Sequence, residues 1–269
     1  MKSNNNTIKL NYGQGCLDLL AGEEAKVVLP QELPPAGPGE VERSLDQAVG
    51  RGLEDFAGAR SASILVSDIT RPAPSHLMLP PLVKRIRELG IRNLFVVFAL
   101  GTHRRMTAAE EEYLLKDCIC LPHGQHDSKG CVPLGWTERG TPVEVLESVA
   151  SSDLIVATGN IEYHYYAGFS GGAKAILPGV SSEPSVVKNH ELMRDPAATT
   201  GNLKSPVRLD MEDAARIADL DFILNTVLNS QKEIVLSTAG DFIEAHRVGA
   251  AAVDQMYRRS VEPAETAVT

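Results

Sequence analysis

Four short runs, 62–67, 93–100, 153–157 and 222–227, are almost wholly apolar and rich in β-branched or aromatic side chains. Runs of that kind suit strands covered on both faces, as in a parallel sheet. Helical patterns fill the gaps between them. Leu82, Val83, Ile86 and Leu89 recur at helical spacing before Gly90, and 106–116 opens with Thr107 and Glu110, the pair that makes a capping box. Segments 210–218 and 242–257 also read as helices, the latter behind Gly240 and Asp241. Parallel strands need crossover connections, so the pattern predicts an α/β fold with an open, mostly parallel, Rossmann-like sheet and flanking helices.

The length of 269 residues allows one large domain or two small ones. Residues 1–50 are less regular, with a turn-rich connector at Pro34, Pro35, Gly37, Pro38 and Gly39. From about Arg259 the apolar period stops. The expected division is a catalytic α/β domain over 1–258 and a tail or linker over 259–269. A net charge of −9 argues against nucleic acid or an anionic membrane as partner. No run approaches the apolar length of a membrane span, and polar asparagines follow Met1. Cys16, Cys118, Cys120 and Cys131 are too few for a disulfide framework, and C-x-C lacks the second pair of a zinc site. A cytoplasmic location is the expectation.

In open α/β sheets ligands bind beyond the carboxyl ends of the strands. There the chain carries Asp68, Thr70 and Arg71 after the first run and Gly101, Thr102, His103 and Arg104 after the second. His164 and a G-F-S-G-G-A-K loop ending at Lys174 follow the third. Gly171 and Gly172 would let backbone N–H groups approach an anion, although Ala175 after the lysine departs from the Walker pattern. A tight turn capping a helix is the plainer alternative. His103, His164 and His190 have an imidazole's two uses, proton transfer and metal binding. Arg71 suits a carboxylate or phosphate, or else a salt bridge to Asp68. Trp136, Tyr163, Tyr165 and Tyr166 either wall a pocket or pack. His76, His123, His126 and His246 read as structural or surface groups.

S-D-I-T-R-P-A-P (67–74), G-T-H-R (101–104), the long run 159–180, Asn189-His190 and L-N-S-Q-K-E-I-V (228–235) resemble the lactate racemase family. The likeness extends over about 10–257. It implies a racemase or epimerase of 2-hydroxy acids that carries the nickel-pincer nucleotide, a pyridinium mononucleotide whose thio-groups hold nickel. It implies Lys174 as the covalent anchor, His190 as the nickel ligand, and His103 and His164 as paired acid/base groups. It also implies that Asp68 and Arg71 help to place cofactor or substrate, and that Thr70, Gly171 and Gly172 receive the phosphate. Cofactor-synthesis enzymes would be transient partners. Members of the family carry a second lobe that closes the cleft, so this chain is expected to be the N-terminal lobe of a two-lobe enzyme. Three alternatives remain: epimerisation of a larger 2-hydroxy or sugar acid, a lobe that binds cofactor without turnover, and an unrelated phosphate-binding protein.

Overall fold

A computed structural model describes residues 6–13, 15–22 and 25–262. Contacts divide the chain into two compact units, one of residues 1–31 and 257–269, the other of residues 32–256. In the first, β1 (Asn6–Tyr12) and β2 (Gly15–Ala21) form an antiparallel hairpin. Ile8, Leu10 and Tyr12 alternate with polar residues, a period-2 signal the sequence reading passed over because it looked for continuous apolar runs.

The larger unit begins with α1 (Glu40–Asp46) and alternates through β3 (Ser61–Ser67), α2 (Ser75–Glu88), β4 (Asn93–Ala99), α3 (Ala108–Leu115) and β5 (His123–Gln125). A side hairpin of β6 (Cys131–Trp136) and β7 (Pro142–Leu146) and the short α4 (Glu147–Ala150) lead into β8 (Leu154–Asn160). Next come two two-residue strands, β9 (Tyr163–His164) and β10 (Gly168–Phe169), then α5 (Glu183–Glu191) and α6 (Pro206–Ile217). The unit closes with β11 (Phe222–Leu228), β12 (Ile234–Gly240) and α7 (Glu244–Tyr257).

The six-stranded sheet has the order β12-β11-β8-β3-β4-β5; all neighbours run parallel except β12, which pairs antiparallel with β11. This is the open, mostly parallel α/β sheet expected. Strand alternation divides its core in two. Leu154 and Val156 join α1, α2 and α3 on one face, while Ile155 and Ala157 join α5 and α6 on the other. Both faces are covered, which is why the central strands read as continuous apolar runs.

The helix expected at 106–116 is α3, with the Thr107–Glu110 capping box formed: Glu110 N–H donates to Thr107 Oγ1, and Thr107 N–H to Glu110 Oε2. Likewise, Asp241 Oδ1 caps α7 by accepting from the N–H groups of Ile243 and Glu244. The helix expected to begin at Asp210 begins instead at Pro206. Proline is favoured in the first turn, where a missing N–H costs nothing.

From β3 the chain winds through β4 to β5; it then returns to lay β8 and β11 on the other side of β3. The winding therefore reverses between β3 and β8, and their carboxyl ends splay apart to leave a crevice. Among the described residues no helix is long and apolar enough to cross a membrane.

Candidate active site at the switch point of the sheet

The crevice holds a cavity of about 580 Å³ lined by Asp68, Arg71, His103, His164, Lys174 and His190, with Gly171 and Gly172 on its wall. Of the site residues expected from the sequence, Thr70 alone is not part of the lining. It is exposed, with Oγ1 3.5 Å from His103 Nδ1.

After β3 the backbone turns at once, with Arg71 N–H donating to Asp68 O and Thr70 N–H donating to Asp68 Oδ1 at 2.8 Å. Asp68 is buried, and its Oδ2 lies 2.9 Å from His103 Nδ1. Burial opposes ionisation of that carboxyl, but hydrogen bonds from Thr70 and His103 outweigh it and hold its pKa below the ordinary value. An ionised carboxylate only accepts, so His103 carries its proton on Nδ1 and keeps the Nε2 lone pair for another partner. The salt bridge considered between Arg71 and Asp68 is not formed: Asp68 pairs with His103, and Arg71 makes no ion pair among the described residues.

β9 and β10 form a minimal hairpin that places His164 opposite Gly168. Gly168 has φ +76°, and a Cβ there would sit 2.3 Å from Asn202 O, so only glycine fits. The turn aims Ala167 N–H at His164 Nδ1 (3.2 Å), and the other ring nitrogen, Nε2, lies 3.1 Å from Lys174 Nζ. Tyr166 stands between two imidazoles, its ring centroid 4.5 Å from that of His164 and 5.1 Å from that of His190. Tyr163, Tyr165 and Tyr166 do wall the cavity; Trp136 does not, and stands exposed on β6.

The glycine-rich loop turns through Gly171 (φ +73°), where a Cβ would meet Asn225 Oδ1 at 2.8 Å and Ile161 Cγ1 at 2.9 Å. Gly172 N–H donates to Asn225 Oδ1 at 2.8 Å, so that donor is occupied by the protein itself. Lys174 follows on a single 3₁₀ turn.

His190 lies in the last turn of α5 rather than in the loop before it; Ser182 caps that helix by accepting from Ser185 N–H, and Pro184 sits in its first turn. His190 Nδ1 donates to Val186 O at 2.8 Å, which fixes the tautomer and leaves the Nε2 lone pair available, as metal-ligating histidines require. The neighbouring Asn189 donates to Asp210 Oδ2 at 2.8 Å, and Thr137 and Thr141 hydroxyls donate to the same buried carboxyl. This polar knot fixes α5 against α6.

The charges that act on His164 and Lys174 are cationic. Burial first, then the Lys174 and Arg71 charges, depress His164 to about 3. Burial, then Arg208 and Arg71, bring Lys174 down to about 7. Burial also lowers His190, against the pull of its bond to Val186 O. At neutral pH these imidazoles are uncharged, the form that ligates metals and accepts protons.

Two buried side chains hold this loop: His246, read from the sequence as structural or surface, and Arg208, which the sequence reading did not name. Arg208 donates to the carbonyls of Ala167, Phe169, Ser170 and Gly171, and His246 Nε2 donates to Ser170 O at 2.8 Å. A signal for Arg208 existed: it occupies the helix face of Met211 and Ala215, where a charge is out of place unless it is paired.

The model of the lactate racemase N-terminal domain matches residues 12–201. The chain belongs to the lactate racemase family. Lactate racemase of Lactiplantibacillus plantarum is 38% identical over 220 residues, which are 78% of this chain and 52% of that protein. Lactate racemase of Thermoanaerobacterium thermosaccharolyticum is 36% identical over 240 residues, 85% of this chain and 56% of the relative. This chain thus spans about half the length of the curated relatives it matches. The structure of the lactate racemase apoprotein from the latter organism superimposes with a TM-score of 0.86 at 34% identity, covering 93% of this chain and 63% of that one. A Thermotoga maritima protein at 21% identity shares the fold, with a TM-score of 0.69 over 82% of this chain and 60% of its own.

Proposed function

We propose that this chain is the cofactor-holding lobe of a racemase or epimerase of 2-hydroxy acids, with lactate the first substrate to test. The cofactor in this reading is the nickel-pincer nucleotide, anchored on Lys174. One observation carries it: an amine, a metal-ready imidazole and two further imidazoles share one cavity at the switch point of the sheet.

The residues present fit that group. Among the described residues no three His, Cys, Asp or Glu side chains converge on a metal position, so the chain offers a metal few donors, and His190 Nε2, with Nδ1 held by Val186 O, is one of them. A nickel site with one imidazole needs its remaining donors from the bound group, and soft sulfur ligands suit that metal. Lys174, half-buried and depressed to about 7, has a reactive uncharged fraction at neutral pH, as an anchoring nucleophile needs. Arg71 is the cation open to a phosphate or substrate carboxylate. Thr70, exposed beside His103, and the glycine loop are secondary, since Gly172 N–H is already given to Asn225.

When bound, the pyridinium would supply a hydride acceptor for the substrate's central carbon. The chain's own groups move the hydroxyl proton. His103, held through Nδ1 by Asp68, takes it on Nε2, and the buried carboxylate stabilises the imidazolium that forms. His164 serves the opposite enantiomer. Its low basicity owes most to burial and next to Lys174, and conversion of that amine to a neutral thioamide would remove the second cause.

A lobe that carries cofactor without turnover is the second reading, since the cavity places the anchoring amine beside the metal-ready imidazole. The test is production together with cofactor-synthesis enzymes, the transient partners in this scheme, followed by intact mass, nickel content and interconversion of lactate enantiomers. Adduct, nickel and turnover together support the first reading. Adduct and nickel without turnover on lactate or larger 2-hydroxy and sugar acids support the second, and absence of an adduct rejects both.

A further inference from the structure

Arg208, on α6, is fully buried, yet among the described residues no carboxylate forms an ion pair with its guanidinium; Glu212, on the same helix, gives its carboxylate to Arg247 at 2.8 Å. A buried cation of this kind is costly and persists only where its donors are fully used. All those hydrogen bonds go to one short stretch of backbone, residues 167–171.

The grip reaches both sides of Lys174. Arg208 Nε holds Ala167 O at 3.3 Å, and the N–H of that same Ala167 points at His164 Nδ1. Arg208 Nη1 holds Gly171 O, also at 3.3 Å, the carbonyl to which Lys174 N–H donates. With Nδ1 accepting from Ala167, a neutral His164 carries its hydrogen on Nε2. That hydrogen points at Lys174 Nζ, which can accept it only through the lone pair of an uncharged amine.

We infer that Arg208 is a positioning residue: by fixing the 167–171 turn it orients His164 as a donor to Lys174 and keeps that lysine an uncharged, nucleophilic amine before cofactor arrives. The groups around the amine agree. Arg71 from the loop after β3 and Arg208 from α6 both disfavour an ammonium, the Tyr166 ring and His190 of α5 bring no negative charge, and His164 offers a proton rather than a lone pair. Two carboxylates also line the cavity, Asp68, which is engaged with His103, and Glu162, and neither is among the causes that shift the lysine. The inference rests on Lys174 as the anchor but concerns the apoprotein alone.

The test is competitive acetylation of the apoprotein with acetic anhydride across pH, read at the Lys174 peptide by mass spectrometry, beside melting temperatures. The unaltered protein should label with a midpoint near 7, far below the ordinary lysine value of about 10.4. Arg208→Gln should raise the midpoint by about one pH unit or more. Arg208→Lys, which keeps the charge but lacks the fork that spans Ala167 and Gly171, should raise it by less. A merely structural role predicts lower melting temperatures with the midpoint unmoved, and that result overturns the inference. So does a midpoint above about 9 in the unaltered protein, or ¹⁵N spectra placing the His164 proton on Nδ1; neither needs a variant that folds. A low midpoint without any cofactor adduct would reject the anchoring role and leave the inference standing. An adduct with an ordinary midpoint would do the reverse.

Discussion

Lys174 Nζ lies 3.1 Å from His164 Nε2, and Ala167 N–H occupies the other nitrogen of that ring. The two side chains come from opposite ends of an eleven-residue stretch that folds back through β9 and β10. Replacing the amine tests the anchor while every histidine is retained. Lys174→Ala, produced with the cofactor-synthesis enzymes, is expected to show the unmodified polypeptide mass, whereas His164→Asn keeps the adduct and its nickel. An adduct on Lys174→Ala would place the attachment elsewhere.

Asp68 sets the tautomer of His103. Asp68→Asn preserves the shape and removes the charge that stabilises the imidazolium. Racemisation by the loaded, complete enzyme should fall about tenfold or more, part of the roughly 10²–10⁴-fold that general acid–base catalysis contributes. Nickel content should not change. Loss of nickel along with activity would mean that Asp68 supports the metal rather than the base.

The Asp210 carboxyl accepts from Thr137, Thr141 and Asn189 inside the protein. Asp210→Ala strands three buried donors at a cost of about 3 kcal/mol or more. For a unit of this size that lowers the melting temperature by roughly 6–12 °C. Because Asn189 adjoins His190, bound nickel should also fall in the loaded protein. A melting temperature within about 2 °C of the parent would contradict the importance of the knot.

The histidines predict how stability depends on pH. His164, His190 and His246 all have folded pKa values below the ordinary 6.5, chiefly through burial. Below about pH 6.5 the unfolded chain takes up protons that the folded chain refuses, so stability falls with acid through that window. Lys174, depressed to about 7, adds a second slope, with stability rising from pH 7 toward 10 as the unfolded chain sheds its extra proton. Melting curves of the apoprotein should show both slopes, and Lys174→Met should flatten the alkaline one and, by removing a charge beside His164, lessen the acid one.

The apolar runs at 62–67, 93–100, 153–157 and 222–227 determined the central strands, because strands buried on both faces admit almost nothing else. Motifs at their carboxyl ends marked Asp68, Arg71, His103, His164 and Lys174 for the same reason: a parallel sheet brings those ends together. The β1–β2 hairpin and β12 escaped notice, as their side chains are largely exposed or mixed and leave only a weak period. Tertiary structure alone decided which nitrogen of each histidine carries its proton. It also made Asp68 the partner of His103 rather than of Arg71, and wrapped Arg208 and His246 around the glycine loop. Those outcomes depend on contacts between residues as far apart as 167 and 208 or 170 and 246, and local pattern holds no record of which distant carbonyl a buried donor will meet.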